Sequence, residues 1–221
     1  MSELRTALIV RRAGVFWTGG ARDIFSMGIR YFTRPGLSPF RWAEATHMGL
    51  RFQLFGGTSE RIHEALASEG YCEKDGLKLV HFVLKSPRHV CYTFWLPVPC
   101  GVAQDLYDES KALLGKPSYA RDQIYAFILM RLWLTRWLPL TLKDDPSRVI
   151  CSEITTRLVH ETCNRWYDFR RPGCTYDGTA PQDAFDVARC KYVESNHLGE
   201  WTVMDELGER VWAPAGGDRH A

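Results

Sequence analysis

The sequence predicts an α+β fold, with strands gathered in its first half and helices following them. Three observations carry this expectation. Residues 4–17, 46–54, 61–67, 77–84 and 90–97 read as extended segments rich in β-branched and aromatic side chains. Residues 100–114, 119–137 and 151–160 carry apolar side chains at helical spacing. The two kinds of segment do not alternate, as they would around a parallel sheet.

Each element has a local reason. The first extended segment holds the run Ala7-Leu8-Ile9-Val10, and a short helix is predicted near residues 21–32 after Gly19-Gly20. Residues 46–54 alternate, and Gly56-Gly57-Thr58 supplies a turn into an antiparallel partner at 61–67. The helix over 100–114 places Val102, Leu106 and Leu113 on one face and stops at Gly115 and Pro117. That over 119–137 breaks before Pro139, and that over 151–160 lines up Ile154, Leu158 and Val159. The last sixty residues read as largely irregular, with short pieces at 181–188 and 201–207. No repeat or long linker divides the chain, so a single domain over 1–221 with its core at about 40–160 is expected.

Composition bounds the function. A chain of 221 residues, 45% hydrophobic and 24% charged, is ordinary globular material, and a net charge of +2 makes no case for nucleic acid. The seven cysteines are odd in number and widely spaced, which fits free thiols in a reducing compartment better than a disulfide scaffold. Ala7-Leu8-Ile9-Val10 is too short for a signal-peptide core and runs into Arg11-Arg12. A cytoplasmic protein is therefore expected, with export by another route left open. Residues 125–140 are rich in Trp and Leu but contain Arg131 and Arg136, and their apolar runs fall short of the roughly 20 residues of a spanning helix. A buried helix is the simplest role for them. The alternative is an acyl-pocket or interfacial helix in peripheral contact with a membrane, with Trp133 and Trp137 on one face.

One constellation could do chemistry. In Val149-Ile150-Cys151-Ser152-Glu153, two apolar residues lead to a cysteine where an amphipathic helix begins. The unbonded backbone N–H groups and the positive dipole end of a helix start favour thiolate over thiol. The same N–H groups can hold an oxyanion. On position alone, the commoner occupant of such a place is a small buried hydrophobe. A base is also needed. His47 lies in one strand of the predicted hairpin and Glu64 in the other, so Glu64 can accept the imidazole N–H and orient the ring. Strand histidines are more often structural and strand glutamates solvated, so spacing permits a triad without requiring one. His81, His89, Cys91 and Cys100 lack the close spacing of zinc ligands, and no Walker loop, dinucleotide fingerprint or G-x-S-x-G elbow occurs. No metal and no cofactor are expected.

Four pieces together resemble the circularly permuted branch of the NlpC-type papain-like superfamily, which includes YiiX/YebB-like amidohydrolases and, more distantly, relatives of lecithin:retinol acyltransferase. Thr46-His47-Met48-Gly49-Leu50 is similar to that branch's histidine strand, and Ile62-His63-Glu64-Ala65 to its glutamate strand. Val149-Ile150-Cys151-Ser152-Glu153 is similar to its cysteine helix start, and Gly115-Lys116-Pro117-Ser118-Tyr119 to the segment before it. Histidine preceding cysteine is what points to the permuted branch. Two features depart from it: Arg11-Arg12-Ala13-Gly14 stands where the branch begins with Gly-Asp, and residues 130–140 form an unusual insertion.

The resemblance implies a small antiparallel sheet packed on the helix that bears Cys151. It implies a cysteine hydrolase of amidase or peptidase type, with Cys151 as nucleophile, His47 as base and Glu64 orienting it. Tyr119 and Trp133 are candidates for lining the substrate site. The substrate would be a small molecule, a peptide or a lipid amide. The same triad serves a lipid acyltransferase or thioesterase equally, and a catalytically silent binding module on this fold is the alternative of another class.

Overall fold

The computed structural model describes residues 4–12, 29, 31, 43–54, 59–66, 68–78, 90–120, 122, 147–163, 167–170, 172–176, 178–194 and 200–203. The class is α+β. A seven-stranded sheet is formed by β1 (Leu4–Arg12), β2 (His47–Leu54), β3 (Glu60–Leu66), β4 (Gly70–Asp75), β5 (Val90–Trp95), β8 (Tyr192–Glu194) and β9 (Glu200–Val203), in the order β4-β3-β2-β1-β5-β9-β8. The five strands from β4 to β5 are antiparallel to their neighbours, while β9 runs parallel to β5. Two short strands, β6 (Ser118–Tyr119) and β7 (Arg148–Val149), pair apart from it. The helices are α1 (Cys100–Ala112), α2 (Cys151–Thr162) and α3 (Pro181–Lys191).

β1 is hydrogen-bonded on both edges, to β2 and β5. That placement explains its continuous apolar run: Ala7, Leu8, Ile9 and Val10 are at most 1% exposed, as expected of a strand covered on both faces. In β2 the alternation expected from the sequence is present. Met48, Leu50 and Phe52 are buried toward the helices, in one cluster with Leu8, Val10 and Phe94 of the sheet, Leu106 of α1, Ile154 and Leu158 of α2, and Phe185 of α3. Each large side chain so buried contributes about 1.5–3 kcal/mol. Phe185 meets Phe94 edge-on at 5.9 Å and Tyr92 at 4.7 Å, which seats α3 on β5.

Several expectations need correction. The sheet is larger than foreseen, and the core is wider than residues 40–160, because β1 at its centre and α3 both lie outside that span. β4 has no counterpart in the sequence reading: Gly-Tyr-Cys-Glu-Lys-Asp is too polar to read as a strand, yet it is an edge strand that needs only one apolar side chain, Tyr71, on the core. Leu77 and Lys78, expected to open a strand, sit in a helical turn instead. Tyr119, expected to open a helix, belongs to β6, where pairing with β7 wins over local propensity. In the C-terminal region the short pieces expected at 181–188 and 201–207 fall on α3 and, in part, on β9, and β8 is an addition. The predicted turn at 56–58, most of the predicted helix at 21–32, His81, His89 and the segment 128–140 with Trp133 lie outside the described residues.

Candidate active site

Strand register brings the polar residues together at one end of the sheet. Arg11 of β1 is opposite both His47 of β2 and Cys91 of β5. Glu64 of β3 is opposite Gly49 and also Cys72 of β4. Side chains two apart share a face, so His47, Gly49, Glu64 and Arg11 all lie on the face opposite Met48 and Leu50. Gly49 is required here: a Cβ at that position would stand 2.8 Å from the His63 carbonyl oxygen and 3.1 Å from Glu64 Cβ. Its absence lets β2 and β3 close up, and His47 Nε2 reaches Glu64 Oε2 at 2.8 Å. The Arg11 guanidinium meets the same Oε2 atom.

Cys151 is the first residue of α2, at the position expected from sequence. Ile150 has no side-chain acceptor, so only the reverse half of a capping box forms, with Glu153 Oε2 accepting the Ile150 N–H at 3.4 Å. Ser152 Oγ donates to the Thr179 carbonyl at 2.6 Å, which ties the helix start to the chain leading into α3. The Cys151 sulfur accepts from the backbone N–H groups of Met48 and Ser152 and from the Tyr119 hydroxyl. The pairing of Tyr119 with Val149 carries that hydroxyl to the helix start. Thus Cys151 abuts the residue that follows His47, Tyr119 lies on the thiol, and Glu64 lies on His47.

The electrostatics differ from the sequence expectation in one respect. A thiol at a helix start was expected to ionise readily. Cys151 is only 3% exposed, and burial pushes its thiol above the ordinary value despite three hydrogen-bond donors and the nearby Arg11 cation. His47 moves the other way: burial first, then Arg11, hold it well below the usual histidine range. Both groups are therefore neutral near pH 7. A carboxylate can only accept, so the proton of the neutral ring sits on Nε2 facing Glu64, and Nδ1 carries the lone pair.

Arg11 and the Met48 N–H were not among the residues singled out from sequence as doing chemistry. The signal for Arg11 was the Arg11-Arg12 pair itself, charged residues in a run otherwise apolar enough for a central strand. A backbone N–H leaves no trace in side-chain identity.

A second polar cluster has the connectivity of a triad but not its access. Ser110 Oγ is 2.7 Å from His63 Nδ1, and His63 Nε2 is 3.1 Å from Glu73 Oε2. Ser110 and His63 are both 0% exposed, the Tyr71 hydroxyl lies 2.6 Å from Ser110 Oγ, and the rings of Phe52 and Tyr107 flank His63. This cluster ties α1 to β3 and β4. Among the described residues no group of His, Cys, Asp and Glu side chains is arranged to hold a metal ion, and no helix is long and apolar enough to cross a membrane. All seven cysteines are free thiols. Comparison with models of known protein families, with curated proteins and with solved structures gave no match.

Proposed function

We propose that this protein is a cysteine-dependent hydrolase of the permuted papain-like kind, cleaving an amide through a thioester on Cys151. The observation that supports the reading is the approach of a helix-start cysteine to the backbone beside a histidine–carboxylate pair. The sulfur is bonded by the N–H of the residue after His47, and the Nε2 of His47 is taken by Glu64. That arrangement leaves Nδ1 as the base.

The steps follow from the neutral state of both groups. The sulfur attacks the acyl carbon while His47 Nδ1 takes the thiol proton, so the imidazolium forms only as negative charge develops. Glu64 steadies that imidazolium. The oxygen of the tetrahedral intermediate is received by N–H groups at the start of α2. The leaving amine departs with the proton from His47, and a water deprotonated by His47 then cleaves the thioester. An alcohol or amine in place of that water makes the same site an acyltransferase. Tyr119 is held against the sulfur and lines the approach of the acyl group.

Incubation with p-nitrophenyl acyl esters and peptide p-nitroanilides, followed by intact mass and peptide mapping, tests the reading. An acyl adduct on Cys151, absent in Cys151→Ala and His47→Ala, is the expected result. A folded protein that acylates at other thiols and never at Cys151 overturns it. The second reading, a catalytically silent binding module, draws on the burial of Cys151 to 3% exposure. It predicts that second outcome.

A further inference from the structure

We propose that Arg11 is the positioning residue of this site: its guanidinium grips the Glu64 carboxylate and thereby fixes the His47–Glu64 pair, leaving Nδ1 as the nitrogen that accepts a proton. The inference rests on the reading of Cys151, His47 and Glu64 as a catalytic set.

Three observations carry it. Arg11 and His47 are directly paired across β1 and β2, and both reach one and the same carboxylate oxygen, Glu64 Oε2. A carboxylate bonded only to histidine can draw the ring into its imidazolium form; one already neutralised by a guanidinium has less pull. Second, Arg11 stands within electrostatic reach of Cys91, Cys72 and Cys151, so the same cation that disfavours charge on His47 favours negative charge on the sulfur. Third, the Arg11 side chain is 18% exposed and its Nε is buried with no acceptor among the described residues. Arginine suits the task because it stays charged where a buried lysine would lose its proton.

The groups that set the charge state of this corner are Glu64 from β3, Cys72 from β4, Cys91 from β5, and Cys151 from α2 with Tyr119 against it. The test follows the His47 ring through a pH titration by nitrogen-15 NMR, in wild type, Arg11→Gln, Glu64→Gln and the double variant. The pH dependence of Cys151 acylation by p-nitrophenyl acetate is read beside it. Removal of Arg11 should raise the His47 midpoint by about one pH unit or more in the wild-type background. It should also raise the midpoint in the Glu64→Gln background, where no buried carboxylate is left bare and folding is safer. The acid limb of acylation should move with it, and Arg11→Lys, whose ammonium gives up its proton when buried, should behave like Arg11→Gln. A midpoint unmoved by loss of Arg11 in both backgrounds overturns the inference. Wild-type protein that never acylates at Cys151 would instead overturn the enzyme reading, while the NMR titration still decides the role of Arg11.

Discussion

Nε2 of His47 lies 2.8 Å from Oε2 of Glu64, and it does so because the residue opposite Glu64 on the neighbouring strand is Gly49. The two side chains form a diagonal rather than a direct cross-strand pair, and the diagonal is bridged only where the two backbones come close. Chemistry and packing therefore depend on the same small residue.

Gly49→Ala should accordingly injure both. The added methyl would sit 2.8 Å from the His63 carbonyl oxygen, a backbone atom that cannot swing aside. A loss on the order of 1–3 kcal/mol is expected from the forced separation of the strands. Activity at a temperature where the variant is still folded should fall further, because the His47–Glu64 distance opens. Thermal melts paired with Cys151 acylation rates separate the two effects. A destabilised variant with full acylation would show that the diagonal is not needed.

Glu64→Gln keeps the shape of the carboxylate and removes its charge. By analogy with other triads the loss should be about tenfold to a thousandfold in kcat/KM, against near-complete loss for Cys151→Ala and His47→Ala. The comparison needs only one ester substrate and a check by circular dichroism that the fold is kept. Full activity in Glu64→Gln would remove Glu64 from the set.

Ser110 makes a different prediction. Its hydroxyl bonds both His63 and Tyr71 inside the core, so Ser110→Ala leaves two buried polar groups short of a partner. Stability should drop by about 1–3 kcal/mol, with Cys151 acylation unchanged in the remaining folded protein. Loss of acylation in a fully folded Ser110→Ala protein would mean that this cluster belongs to the chemistry.

His63 and His47 share a direction: burial is the largest cause in both, and both are held below the ordinary histidine value. An unfolded chain then binds more protons than the folded one below pH ~6.5, so stability is present above that value and is lost as pH falls below it. Urea midpoints should decline from pH 7.5 to 5.5, and His63→Gln should flatten the decline. A flat profile in wild type would mean that neither ring is buried neutral.

How much of this could be read from sequence divides along a physical line. Alternation in 46–54, helical spacing in 100–114 and 151–160, and the pairing of His47 with Glu64 through a hairpin are local or nearly local, and each is found where it was expected. The β6–β7 pair and β9, which runs beside β5, owe their form to partners distant in the chain, whereas β4 follows β3 directly and escapes notice because it is polar. Their own residues carry little signal. The direction of the Cys151 shift was missed for a related reason. Helix position is a local property that favours thiolate, whereas burial depends on the whole assembly and outweighs it.

That balance gives the last prediction, which concerns how Cys151 reacts. With its thiol held above the ordinary value, little thiolate is present at pH 7 without assistance. Reaction with iodoacetamide at that pH must therefore draw on His47 Nδ1 as the base. The His47→Ala variant should slow alkylation of Cys151 at least tenfold, on the order of what a positioned base supplies. Two other thiols serve as controls in the same digest. Cys190 is exposed and should label at one rate in both proteins. Cys163, pushed up to about 12 by burial at the end of α2, should stay unlabelled until the chain is unfolded. If Cys151 labels equally fast with and without His47, the imidazole is not its base, and the pairing of His47 with Glu64 is structural. If Cys151 stays as inert as Cys163 in both proteins, the thiol is a core side chain and the nucleophile assignment falls with it.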